Sequence, residues 1–212
     1  MLLNLLRRNQ YFFLSYALVL VVVGVLQILY TQEQLMRWVN GRNAPLADVF
    51  FTYATYLGDG AFFVIICAIL LLYNRRVGLM AFASFALSSL MSLFLKRIVF
   101  PERLRPLKFF EHSTYEYHVI KGLNIYSYNS FPSGHTISAF AVFSLLAFLD
   151  ERKGRGWLFL ALAVLTAYSR VYLFQHFVED TFVGSLVGTG ASIVIYLGMR
   201  RWALTENKKE PA

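Results

Sequence analysis

The sequence has a single cysteine and few charged side chains. Because Cys67 is alone, the chain can form neither an internal disulfide nor a metal site built from several cysteines. Charged residues occupy only 15% of the 212 positions, whereas 58% of the residues are hydrophobic and 17% are aromatic. This composition is far more apolar than that of an ordinary soluble domain. It indicates a membrane protein, in which Cys67 is predicted to be a packing residue.

Six apolar runs divide the chain, and about 20 apolar residues are needed to cross a bilayer as a helix. They lie at about 11–30, 61–74, 77–95, 136–149, 156–173 and 180–199. The second and fourth are short, but flanking aromatic residues or a locally thin bilayer would let them cross. The sequence therefore predicts an all-α, polytopic membrane protein with six transmembrane helices. It predicts a single domain over residues 1–212, with a polar cytoplasmic tail from about residue 202.

Two longer connections separate these runs. The apolar and polar residues of 31–60 suit a helix lying in the membrane interface, which would either cover the bundle or guide lipid. The loop at 96–132 is long enough to be functional. Its His112 and His118 have no partner at a recognisable spacing, so they are predicted to be ordinary surface histidines.

The basic residues do not form one stripe, so the net charge of +8 does not predict nucleic-acid binding. Groups at residues 7–8, 75–76, 152–155 and 200–209 fall on one face of a six-span serpentine. Excess Lys and Arg mark the cytoplasmic face. The sequence thus predicts both termini in the cytoplasm and residues 96–132 outside, although that loop is also basic.

A short polar motif stands where the fourth apolar run begins. Pro132-Ser133-Gly134-His135 precedes this run, so Ser133 occupies the position of a helix N-cap. Free amides at a helix start bind phosphate, glycine lets a bulky anion approach, and His135 can donate a proton. By itself the motif fits a phosphate site and a simple capped helix equally well.

A more specific pattern links the fifth and sixth runs. The planar guanidinium of Arg170 suits two phosphate oxygens at once. His176 and Asp180 are one helical turn apart, so the carboxylate can hold one ring nitrogen and leave the other free to attack. A purely structural pair gives no reason for the nearby arginine, and a metal site lacks a third ligand at a suitable spacing. The pattern therefore predicts a phosphoryl-transfer site without a metal.

Together with Lys96 and the arginines that follow it, these groups resemble the three-part signature of the type 2 phosphatidic acid phosphatase superfamily. The resemblance covers roughly residues 45–200, its core motifs span 96–180, and the second and third parts match completely. The first part departs from the family pattern K-x6-R-P. Lys96 reaches Arg103 at the family spacing, but the Arg-Pro pair comes at Arg105-Pro106. The sequence leaves open which arginine is the phosphate ligand.

The resemblance implies a role for each matching residue. His176 would be the nucleophile that becomes a phosphohistidine, Asp180 would orient it, and His135 would donate a proton to the leaving oxygen. No metal or other cofactor is implied, because cationic side chains and a helix terminus can stabilise the transferred phosphoryl group. The residues implied to hold the phosphoryl oxygens are Lys96, Arg103 or Arg105, Ser133, Gly134 and Arg170.

The sequence therefore predicts a lipid phosphatase of the plasma membrane with its active site on the outer, periplasmic face. Its candidate substrates are undecaprenyl diphosphate, phosphatidylglycerol phosphate, phosphatidic acid and a lipid A phosphate, and the resemblance favours the prenyl diphosphate. A lipid phosphotransferase would use the same residues. A non-catalytic lipid-binding or transport protein is the alternative of another class, but the complete set of motif residues favours catalysis. The oligomeric state does not follow from the sequence.

Overall fold

The computed structural model describes residues 1–204, and every regular element in that range is helical. Most of the predicted polar tail, residues 205–212, lies outside the described residues. Thr55–Gly58 forms a 3-10 turn and Leu95–Val99 a π-helical turn. The α-helices are α1 (Leu2–Arg8), α2 (Gln10–Leu29), α3 (Gln32–Asn40), α4 (Pro45–Ala54), α5 (Gly60–Tyr73), α6 (Arg75–Phe94), α7 (Pro106–Phe109), α8 (Gly134–Leu149), α9 (Gly156–Tyr172) and α10 (Val178–Leu204).

The six apolar runs correspond to α2, α5, α6, α8, α9 and α10. Three of the described helices are long and apolar enough to cross a membrane alone: α2, α10, and α6 continued to Val99. A fourth crossing results if Pro45–Gly58 and α5, which are bent by 53°, form one broken span. The helix α8 is apolar but has only 16 residues. The predicted count of six crossings therefore stays a prediction.

Two short helices, rather than one, follow the first apolar run. The helix α3 begins with a capping box, in which Thr31 and Gln34 each bond the other's backbone N–H. The helix α4 begins with Pro45, whose missing N–H costs nothing at a first helical position. Proline disfavours helical backbone in the residue before it, so the chain cannot run from α3 into α4 as one helix. The segment predicted to hold an interfacial helix thus contains two short helices, and their place in the membrane interface stays a prediction.

The helix α8 is the centre of the bundle and packs against α6, α9 and α10. A Cβ added to Gly188 would lie 2.3 Å from the carbonyl oxygen of Ile137, so only glycine allows α10 to cross α8 this closely. Hydroxyl groups add bonds between helices. The hydroxyl oxygens of Ser84 and Ser192 are 2.9 Å apart, and the Ser192 hydroxyl also donates to the carbonyl oxygen of Ala141 at 2.6 Å.

The chain alternates in direction through α6, α8, α9 and α10, which sorts polar residues between the two ends of the bundle. At one end, the Arg76 guanidinium donates to the carbonyl oxygen of Trp202, and its centre lies 5.9 Å from the indole ring. At the same end, Lys153 donates to the last carbonyls of α8, at Ala147 and Phe148. The sequence motifs therefore lie at the opposite end.

Candidate active site

The turn between α9 and α10 places His176 in the interior of the protein. The backbone N–H groups of Gln175 and His176 both donate to the carbonyl oxygen of Arg170, at 3.0 and 3.2 Å. Phe174 has a positive φ of 58°, which is costly for a residue other than glycine. Its buried ring packs 4.8 Å from the ring of Tyr117, and this burial offsets the backbone cost.

A carboxylate holds His176 in place. Nδ1 of His176 lies 3.1 Å from Oδ2 of Asp180, and both side chains are only 1% exposed. The same oxygen accepts the hydroxyl of Ser130 and the N–H of Phe177. Because Oδ2 acts as an acceptor, Nδ1 carries the proton and Nε2 keeps its lone pair.

The sequence did not predict a role for Ser130. Its only sequence signal is a polar residue two positions before Pro132, and Asp180 lies 50 residues further along the chain.

The surroundings keep His176 neutral. Burial lowers the pKa of His176 well below its ordinary value of 6.5, and the nearby cations Arg105, Arg170 and Lys96 lower it further. An uncharged imidazole is the form that can act as a nucleophile. The site therefore maintains its buried histidine in the reactive form at neutral pH.

Arg170 is buried beside this histidine and is only partly satisfied. It is 5% exposed, and one terminal nitrogen donates to Oγ1 of Thr55 at 2.7 Å. Among the described residues its Nε has no acceptor. A buried donor without an acceptor is costly, and an oxyanion bound beside Arg170 would satisfy it.

The two arginines of the first motif face different surroundings. Arg105 is 9% exposed and donates to the carbonyl oxygens of Tyr128, at 3.0 Å, and Gln175, at 3.4 Å. Since Gln175 precedes His176, these bonds place the Arg105 guanidinium beside the buried histidine. The side chain of Arg103 is 54% exposed and pairs with Glu179 at 3.1 Å. Arg103 thus lies on the rim of the site.

Lys96 lies against the start of α8. Its Nζ donates to the carbonyl oxygens of Asn129, at 2.7 Å, and Ser130, at 3.4 Å. Its Cε would lie 3.8 Å from a Cβ added to Gly134. The ammonium group therefore stands next to the glycine of the second motif.

The second motif is tied directly to the third. Ser133 caps α8 by accepting from the backbone N–H and the hydroxyl of Thr136, and its own N–H donates to the carbonyl oxygen of Asp180 at 3.0 Å. The next histidine, His135, has its Nε2 3.9 Å from Oδ2 of Asp59. The structure thus gathers every predicted site residue at one end of the bundle, with Arg103 turned towards Glu179.

His118 has a partner that its sequence spacing did not reveal. Its Nε2 lies 2.9 Å from Oδ2 of Asp48, and the other oxygen of that carboxylate accepts from the hydroxyl of Tyr172 at 2.6 Å. Asn40 bonds both the N–H and the C=O of His118, each at 2.8 Å. The sequence predicted an ordinary surface histidine, whereas His118 is partly buried and paired with Asp48. These contacts tie the long loop to α3, α4 and α9.

No group of three or more His, Cys, Asp or Glu side chains arranged to hold a metal ion occurs within residues 1–204. The apolar helices indicate a membrane-integral protein, in which a buried histidine lies among cations at one end of the bundle. Residues 77–203 match the model of the PAP2 superfamily, and the chain belongs to that family. The family predicted from the motifs is confirmed.

Two solved structures are similar to this chain. LpxE of Aquifex aeolicus has a TM-score of 0.66 and 27% identity, with 77% of this chain and 93% of that chain covered. A transmembrane PAP2-type phosphatidylglycerolphosphate phosphatase of Bacillus subtilis has a TM-score of 0.67, covering 95% and 99%. At 23% identity, this second likeness shows the fold alone.

Two curated proteins are also similar. Lipid A 1-phosphatase of Rhizobium johnstonii is 28% identical over 133 residues, which are 63% of this chain and 52% of that protein. Bacitracin transport permease protein BcrC of Bacillus licheniformis is 38% identical over 68 residues, 32% of each chain. The matched segments thus span about half and about a third of the lengths of these relatives.

Proposed function

We propose that this chain is a lipid phosphatase in which His176 attacks the phosphoryl group of a membrane lipid. The observation that carries the proposal is the state of His176: buried, neutral, held at Nδ1 by Asp180, and surrounded by cations. A structural histidine needs no such cations. A nucleophile that attacks a phosphoryl group needs them, because charge spreads over the equatorial oxygens in the transition state.

Three cations and a helix start would hold the phosphoryl oxygens. Arg105 and Arg170 are buried next to His176, and Lys96 stands beside Gly134. The first free amides of α8 add donors at the positive end of the helix dipole. We assign the first-motif role to Arg105, because the Arg103 guanidinium is half exposed and paired with Glu179.

The reaction would proceed in two displacements. Nε2 of His176 forms a bond to phosphorus as the bond from phosphorus to the leaving oxygen breaks, and His135 gives that oxygen a proton. Water then attacks the phosphohistidine while His135 takes a proton from it, which releases phosphate and restores both histidines. No step requires a metal ion, so we propose that activity is independent of metals.

A cleft beside the site supports a lipid as the substrate. It has a volume of about 290 Å³, and Lys96, Gly134 and His135 stand at its polar end. Along α6 and α8 the cleft is also lined by four serines and by Leu93 and Ile137. It lies between helices of an apolar bundle, where the hydrocarbon chain of a membrane lipid can approach it.

The positions of the basic residues support an orientation. The end of the bundle that holds Arg76 and Lys153 lies opposite the site, and basic connections mark the cytoplasmic face. We propose six crossings of the plasma membrane, with α8 and α9 as short spans inside the bundle. Both termini would be cytoplasmic, and the site would face outwards.

The experiment is phosphate release by the purified protein in detergent with EDTA, compared with that by His176→Ala. The panel contains undecaprenyl diphosphate, phosphatidylglycerol phosphate, phosphatidic acid and a lipid A phosphate. We expect release from at least one lipid, none by the variant, and an acid-labile phosphoenzyme in the wild type only. Equal release by a folded variant would refute the role of His176. Loss of activity in EDTA would refute metal independence, and phosphorylated alcohols among the products would indicate phosphotransfer.

A further inference from the structure

The turn between α4 and α5 makes two contacts with the site that none of the three motifs explains. This turn, Thr55–Asp59, lies against the start of α8, which carries His135, and against the last turns of α9, which carries Arg170. A Cβ added to Gly58 would lie 2.5 Å from the carbonyl oxygen of His135 and 2.6 Å from Cγ2 of Thr166. The backbone of Gly58 therefore packs directly on the backbone of His135, with no space for a side chain. This contact fixes the position of the turn relative to the first turn of α8.

The two carboxylate oxygens of Asp59 have different partners. Oδ1 accepts the N–H of Ala61 at 2.8 Å and so caps α5. Oδ2 lies 3.9 Å from Nε2 of His135. The cap holds the side chain in one orientation, and this orientation aims the second oxygen at the imidazole.

The charges around His135 give this contact its importance. Burial disfavours the protonated form of His135 most, and the charges of Arg170, Arg105 and Lys96 disfavour it further. Among the described residues, Asp59 is the carboxylate that acts in the opposite direction. An acid that protonates a leaving oxygen must carry its proton when the substrate is bound. A bound phosphoryl group brings negative charge that favours this proton, and the carboxylate of Asp59 acts in the same direction.

Thr55, four residues earlier, supports the guanidinium of Arg170. The bond between Arg170 and Oγ1 of Thr55 is 2.7 Å long and buried, and it joins residues 115 positions apart. It uses one donor of the fork and leaves Nε without an acceptor among residues 1–204. Thr55 therefore fixes the plane of the guanidinium while leaving donors for an anion.

We propose that Thr55 and Asp59 are positioning residues of the proposed phosphatase site: Asp59 favours the protonated form of His135 once a phosphoryl group is bound, and Thr55 orients Arg170. His135 passes its proton to the leaving oxygen and then takes a proton from the attacking water. This inference rests on the proposed function.

Two phosphate monoesters with different leaving groups test the role of Asp59. Dioctanoyl phosphatidic acid has a poor, alkoxide-like leaving group that needs an acid, whereas p-nitrophenyl phosphate has a good leaving group that does not. The variant Asp59→Asn keeps a cap oxygen for α5 and removes only the charge. We expect its kcat to fall at least about tenfold more for the alkyl ester than for the aryl ester. The alkaline limb of the alkyl pH profile should move to lower pH by about one unit, because the protonated form of His135 loses its partner.

Two further variants serve as controls for Asp59. Asp59→Glu restores the charge and should return the alkaline limb towards the wild-type position. Glu33→Gln removes an exposed carboxylate paired with Arg37, and we expect both rates to stay as in the wild type. Equal losses for the two esters in Asp59→Asn, with an unmoved pH limb, would mean a merely structural role and would overturn the proposal for Asp59.

Thr55→Val tests the other contact without changing the shape of the side chain. We expect KM to rise about tenfold for both esters, since Arg170 would bind the same phosphoryl group in each. Thr55→Ser keeps the hydroxyl and should recover most of this loss. An unchanged KM in Thr55→Val overturns the proposal for Thr55. If the wild type releases no phosphate from any substrate, the proposed function itself fails, and this inference fails with it.

Discussion

Replacing Arg103 and Arg105 one at a time with glutamine tests which arginine of the first motif binds the phosphoryl group. The two residues are two positions apart, carry the same charge, and differ in their surroundings. Arg105 is 9% exposed and donates to the carbonyl oxygens of Tyr128 and Gln175. The side chain of Arg103 is 54% exposed and forms an ion pair with Glu179, which is itself 36% exposed.

The two environments predict losses of kcat of very different size. Removing one preorganised donor to a developing negative charge costs roughly 3–4 kcal/mol, which is about 10²–10³-fold in kcat. We expect a loss of this size for Arg105→Gln. A solvent-exposed ion pair contributes only about 0–1 kcal/mol. We therefore expect Arg103→Gln to change kcat by less than about fivefold.

The assay is the initial rate of phosphate release from the lipid that the wild type hydrolyses best, with kcat and KM measured separately. Arg105 also bonds two loop carbonyls, so each variant is checked for its elution volume and thermal midpoint in detergent. Arg105→Lys, which keeps the charge but not the planar fork, should fall between the wild type and Arg105→Gln. A larger loss in Arg103→Gln than in a folded Arg105→Gln would refute the assignment.

Two other predictions concern the buried histidine. Ser130→Ala removes a hydrogen bond to the carboxylate of Asp180. Since bonds to charged groups contribute about 1.5–3 kcal/mol, we expect kcat to fall at least about tenfold. An unchanged kcat would contradict this role of Ser130. Burial lowers the pKa of His176 in the folded state, so the unfolded chain binds more protons below pH 6.5. Stability should therefore fall as the pH drops from 6.5 to 5.5, by about 1 kcal/mol more in the wild type than in His176→Gln. Parallel unfolding curves for the two proteins over this range would argue against a lowered pKa.

Much of the architecture could be predicted from the sequence, because it depends on local properties. An apolar run needs only its own residues to indicate a helix in a membrane protein, and all six runs are helices with similar bounds. The family could also be predicted, since its second and third motifs are short segments of fixed spacing. Helix lengths alone did not decide the number of crossings, because short helices such as α8 depend on their neighbours in the bundle.

Other features depended on the tertiary structure. Arg103 and Arg105 were equal candidates in the sequence, and only their placement separates a rim ion pair from a buried cation. The partners of Asp180, Arg170 and His118 lie 50, 115 and 70 residues away in the chain.

The physical reason is the range of each effect. Helix formation and N-caps arise among residues a turn or two apart, so the sequence by itself determined where the helices run and where each motif sits on them. Which polar atoms then meet depends on how the helices cross. Close approaches such as the one at Gly188 set those crossings, and contact between helices is a property of the packed bundle. The tertiary structure alone decided that Ser130, Thr55 and Asp59 stand beside the motif residues.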